Sequence, residues 1–182
     1  SDLETCPEGL APEDRWILAE FQQTMHGVEE AWTTLDIYTA TQALKTFGTG
    51  LLPSHYLEMV KSRLYDDDAA AAWTLHRIVR DFLAAFSPVC PFFTHHISST
   101  VYGSSAVDVD AFPEPAMKDV AHGTDEGSRL CDLSHTLQEF NGQTWAAKKE
   151  AGVSLNQPIS GISVPDDLAE FSSTLTRMHQ LE

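Results

Sequence analysis

Cations are scarce in this chain. Its 182 residues hold 11 Lys+Arg against 27 Asp+Glu, a formal charge of -16. Cysteine is scarce too: Cys6, Cys90 and Cys131 lie far apart, are odd in number and form no CxxC pair. That excludes a disulfide scaffold or zinc ribbon and fits a reducing cytoplasm, with three inert thiols. No apolar run approaches the roughly 18 residues that span a bilayer, so no membrane partner is expected. The first ten residues, SDLETCPEGL, lack a cationic and apolar leader pattern, and nothing marks secretion.

Catalytic signatures are missing as well. The sequence contains no GxxxxGK[ST], GxGxxG, HExxH or GxSxG. His95 and His96 are adjacent on an expected helix and point to different faces. His26 has no ligand partner at a repeating spacing. Asp108 and Asp110 resemble a metal-binding DxD, but alternation with Val107 and Val109 reads equally well as an exposed strand edge. No catalytic residue and no metal site is therefore assigned. Nothing assembles a nucleophile, a base and an oxyanion donor.

The acidic excess has two readings. One is a protein that avoids nucleic acid, since phosphate contacts need cations. The other is a protein of salty cytoplasm, where high surface charge keeps chains soluble and screening removes distant repulsion. Five lysines, with acids spread along the whole chain, favour the second.

What is present is helical periodicity. A hydrophobic fraction of 42% and a charged fraction of 21% indicate a folded chain. Leu18, Phe21, Met25, Val28, Trp32 and Leu35 recur at spacings 3,4,3,4,3, and Ile37, Ala40, Leu44 and Phe47 at 3,4,3. Pro12 suits a first helical turn, Asp14 the positive helix end and Asp36 an N-cap. Gly48, Gly50 and Pro53 predict a break, after which residues 54–64 resume a helix. Asp66, Asp67 and Asp68 favour the start of the next helix, which carries Leu75, Ile78, Phe82 and Phe86 and stops before Pro88. Pro91 opens a shorter helix ending near Gly103. Leu130, Leu133, Leu137 and Phe140 mark a fifth helix running to Glu150, and Leu168, Phe171, Leu175 and Met178 a last one over 166–179. VDVD (107–110) and GISV (161–164) are candidate short strands. The expected fold is mainly α: an antiparallel helical bundle over residues 1–113, with a small α/β appendage over 114–182 that reads as cut from something longer.

With cations so few, their positions are informative. Lys61 and Arg63 close the third helical segment, and Lys148 and Lys149 close the fifth. Dipole complementation at helix C-termini explains such positions. Arg77 and Arg80 stand three apart in mid-helix and share a face, where they either pair with Asp81 or join a basic patch. The alternative for the whole set is a phosphate-binding surface, with Tyr56 or Tyr65 beside it to stack on a base.

Several segments together resemble one family. DRWIL (14–18) resembles the start of the anticodon-binding helical domain of class I aminoacyl-tRNA synthetases for branched aliphatic amino acids. HYLEMVKSRLY (55–65) is similar to that domain's Y-[LI]-E-x-x-K-x-R-[LF]-Y segment. FSPVCPFFTHHI (86–97) resembles its helix link. VYGSSAVDVDAFPE (101–114) and KKEAGVSLNQPISGISV (148–164) resemble passages that point to the valyl branch. The motifs arrive in the family's order and span almost the whole chain. The aromatic-rich segment usual before the tyrosine is replaced here by Thr49–Ser54, and the family's Trp-Pro by Phe112–Pro113.

The resemblance implies a partner, tRNA, with valine tRNA foremost, and a role in reading its anticodon arm. It implies that Lys61 and Arg63 face the anticodon arm or else anchor the helix end beside it; with the cation reading above, the candidate RNA-binding residues are Tyr56, Lys61, Arg63, Arg77, Arg80, Lys148 and Lys149. It implies that the parent protein is a valine–tRNA ligase, salt-adapted and archaeal-like. The parent's catalytic domain, on the same chain, would use ATP and magnesium; the ATP-site signatures His-x-Gly-His and Lys-Met-Ser-Lys-Ser are missing here, and this segment itself needs no cofactor. A sister synthetase (isoleucyl, leucyl or methionyl) and a non-enzymatic helical interaction bundle are the alternatives.

Overall fold

The computed structural model describes residues 5–104 and 112–182. Among the described residues, seven α-helices follow in order: α1 (Pro12–Thr33), α2 (Ile37–Thr46), α3 (Leu57–Tyr65), α4 (Ala69–Phe86), α5 (Pro91–Tyr102), α6 (Asp125–Glu150) and α7 (Ser172–His179). A π-helical segment, Phe47–Tyr56, joins α2 to α3, and a 3-10 turn, Asp166–Phe171, leads into α7.

Helix starts follow local chemistry. Pro12 stands at the first turn of α1, and Asp14 accepts from the Ala11 N–H at 3.2 Å. Asp36 caps α2 by accepting from the Thr39 N–H at 3.0 Å. Asp68 caps α4 through the N–H groups of Ala70 (2.9 Å) and Ala71 (3.0 Å). Gly103, at φ +68, ends α5 in the left-handed conformation that glycine adopts without strain.

One core binds these helices. Trp16, Phe21, Leu44, Tyr56, Val60, Ile78, Leu130, Leu137, Phe171 and Leu175 belong to a single cluster. Helix α6 lies along α1, where the Trp16 indole donates to the Ser134 hydroxyl at 2.7 Å. The predicted first stripe is buried from Leu18 to Val28 but not at its end. Leu35 lies beyond α1 at φ +58 and is 80% exposed, because the chain turns there into α2.

Two expectations are corrected. The predicted break at Gly48, Gly50 and Pro53 is a widened helix instead. Pro53 has no N–H to donate, and the backbone absorbs this by π winding rather than by stopping. Gly48 also allows close packing: a Cβ there would meet the Phe82 ring at 3.0 Å. The α/β appendage is the second correction. Among the described residues there is no β-strand, only an isolated parallel bridge between Ile159 and Leu181. GISV (161–164) runs as irregular chain, since no neighbouring strand offers it a ladder. VDVD, with Asp108 and Asp110, lies outside the described residues.

Candidate functional site

The cations of the sequence reading fall into groupings built around separate acceptors. Arg63 is the hub of the first. Its guanidinium donates to Glu13 Oε1 (2.9 Å), to both Asp14 oxygens (3.0 and 2.7 Å) and to Asp68 (3.0 and 3.2 Å). Its side chain is 11% exposed, Glu13 2% and Asp14 0%. Burial pulls the Arg63 pKa down, but the hydrogen bonds to Asp14 and Asp68 outweigh it and the pKa rises. The Tyr56 hydroxyl donates to Asp14 Oδ1 at 2.8 Å, and Thr174 donates to Glu13 at 3.1 Å. Burial first, then the Asp14 carboxylate, raise the Tyr56 phenol well above its ordinary pKa. One network thus ties α1, α3, the start of α4 and α7. Arg63 and Tyr56 are directed inward in it.

Arg77 and Arg80 share an acceptor in the second grouping. Arg77 Nε donates to Asp81 at 2.7 Å, and its Nη2 to the Glu114 carbonyl at 2.9 Å. Arg80 Nε donates to the other Asp81 oxygen at 3.1 Å. Arg77 is buried, whereas the Arg80 side chain is about one quarter exposed.

Lys148 and Lys149 separate. Lys148 is fully buried, and its ammonium donates to the carbonyls of Leu155 (2.8 Å) and Gln157 (2.6 Å), folding the post-α6 loop back onto the helix. Lys149 is exposed. Lys61 is exposed too, with Glu58 at 3.6 Å. Lys45 and Arg177, not singled out by the sequence reading, are also exposed. Among the described residues no group of three His, Cys, Asp or Glu could hold a metal ion, and no helix is long and apolar enough to cross a membrane.

A cleft of about 700 Å³ opens between α1, α2, the π segment and α6. Gln23, Thr24, Thr39, Gln42, Ser54 and Gln138 are among its lining residues, with Tyr38 at its edge, 75% exposed. Glu20 lines it as well; burial pushes its carboxyl above the ordinary range, and it accepts from Ser134. Sequence reading missed this cleft. The available signal was a polar stripe: Thr39, Gln42 and Thr46 repeat at 3,4 beside the apolar stripe of α2.

Comparison with known proteins bears on this arrangement. The chain is 30% identical to the valine–tRNA ligase of Saccharolobus solfataricus over 155 residues, 85% of this chain and 18% of the relative. It is 28% identical to that of Aeropyrum pernix (96% of this chain, 22% of the relative) and 30% identical to that of Pyrobaculum aerophilum (94% and 22%). The chain therefore spans about a fifth of the length of the curated relatives it matches. Residues 14–163 match the profile of the anticodon-binding domain of tRNA ligases, from the Asp14 that grips Arg63 to the loop after Lys148. The chain belongs to that anticodon-binding domain family.

Proposed function

We propose that this chain is the part of a valine–tRNA ligase that recognises the anticodon arm of valine tRNA. A catalytic domain outside these residues would join valine to the tRNA in the cytoplasm, using ATP and magnesium. The observation that carries this reading is the domain match over residues 14–163, combined with relatives named valine–tRNA ligase.

The candidate RNA-facing residues then divide by role. Lys61 and Lys149 have exposed side chains that can reach phosphate, and Arg80 adds a partly exposed guanidinium. Tyr56, Arg63, Arg77 and Lys148 support that surface from within. The division near residue 113 separates the bundle of α1 to α5 from a C-terminal part, α6 and α7, which packs on it and contributes Lys149 to the same surface.

The test is fluorescence anisotropy of a labelled valine anticodon stem-loop, titrated with this chain across a potassium chloride series. A stem-loop with a swapped anticodon is the control. Preference for the valine anticodon is expected. Equal binding to both would remove the valine assignment, and no binding by folded chain at any salt would remove the RNA role and favour an interaction bundle.

A further inference from the structure

The cleft walled by α1, α2, the π segment and α6 differs from the rest of this acidic surface. Its lining holds one carboxylate, Glu20, and no Lys or Arg. A ligand's carboxylate or phosphate would find no Lys or Arg inside to pair with, so the anionic part of a ligand stays outside the cleft. The amides of Gln42 and Gln138 make no hydrogen bond among the described residues, and each offers donors and an acceptor. Tyr38 presents an exposed ring at the rim. Lys45 follows Tyr38 and Gln42 at spacings of 4 and 3, on one ridge of α2, and is exposed. One wall is the π-helical segment, a winding that recurs at functional sites.

A flat ring, edge-reading amides and a flanking ammonium match the three parts of a nucleotide: base face, base edge and phosphate. We propose that this cleft receives one unpaired nucleobase of an RNA loop. Tyr38 stacks on the base, Gln42 and Gln138 hydrogen-bond its edge, and Lys45 meets the adjoining phosphate. This deepens the anticodon-arm reading and rests on it for the identity of the RNA, not for the chemistry of the cleft.

The test has two arms. In the first, the side-chain amide signals of Gln42 and Gln138 are followed by proton–nitrogen NMR while a seven-nucleotide single-stranded RNA with the anticodon-loop sequence is added. Both signals are expected to shift, and a Tyr38→Ala variant is expected to bind this RNA about tenfold more weakly. In the second, wild type and a Gln42→Leu, Gln138→Leu double variant, checked for an unchanged melting curve, are titrated with the stem-loop. The double variant is expected to bind about tenfold more weakly. An abasic nucleotide at the captured position should abolish that difference. Amide signals that stay fixed at saturating RNA overturn the base cleft, even if the stem-loop binds. Amides that shift with the loop RNA while the stem-loop fails to bind leave the cleft standing and sink the anticodon-arm reading.

Discussion

At the scale of single residues, Arg63 shows how charge is used inside this bundle. Two carboxylates with almost no exposure, Glu13 and Asp14, accept from one guanidinium. Burying those acids without a partner would be costly, so the fork of donors is what makes the site tolerable. Arg63→Ala is expected to cost about 3–5 kcal/mol, because it leaves buried negative charge uncompensated. Arg63→Lys should recover little of this, since one ammonium cannot reproduce the several directed donors. Urea unfolding of the two variants against wild type checks both statements; a loss under about 1 kcal/mol would mean the pair is solvent-screened after all. Much of this was legible in sequence as residues and little as roles. Lys61 and Arg63 close α3 in sequence alike, yet one is exposed and the other enclosed. Neighbours two positions apart on a helix point in different directions, and only the tertiary fold, which brings Glu13 and Asp14 of α1 to Arg63, decides which is covered.

At the scale of elements, the seam between α6 and α7 carries a polar chain that is buried at Asn141 and His179 and half-buried at His55. His179 Nε2 and the Asn141 side-chain oxygen are 2.7 Å apart, and the Asn141 amide is 3.1 Å from His55 Nδ1. His179 is 1% exposed and packs edge-on against Phe140 and Trp145. Burial first, then the charge of Lys148, hold its pKa down at about 4. Below about pH 6.5 the unfolded chain takes up a proton at this histidine that the folded chain refuses until about pH 4. The contribution of the site to stability is therefore fully present above pH 6.5 and declines as pH falls towards 4. Wild type is expected to lose melting temperature over that window more steeply than a His179→Gln variant, read by circular dichroism. Parallel curves would show that His179 does not titrate in this way. Sequence periodicity announced both helices of this seam, because apolar residues at 3,4 spacing need a core to face. It gave no sign of the His–Asn–His chain, whose members are 86 and 38 residues apart. The same limit applies to the π segment. Two glycines and a proline signal disturbed winding, and the contact of Phe82 with Gly48 lies in another helix.

At the scale of the whole molecule, the charge of -16 acts on every element together. Like charges spread over one compact body repel less as the Debye length falls from roughly 10 Å near 0.1 M salt to roughly 3 Å near 1 M. The melting temperature is expected to rise across a potassium chloride series over that range, as a salt-adapted chain requires. A flat or falling series would remove the salt-adapted reading. The buried networks at Arg63 and Asp81 should persist throughout, because screening reaches exposed charges far more than enclosed ones.

By itself the sequence determined the helical class, the places where helices begin and the family, since periodicity, caps and ordered motifs are local properties written along the chain. It also determined the acidic character of the surface, which is a sum over residues and needs no fold. Only the tertiary structure decided which cations face solvent and which hold carboxylates in the core. It alone brought Gln42 of α2 and Gln138 of α6 to one cleft. Burial and convergence are relations between distant segments, fixed when helices pack, and no spacing along a single helix contains them.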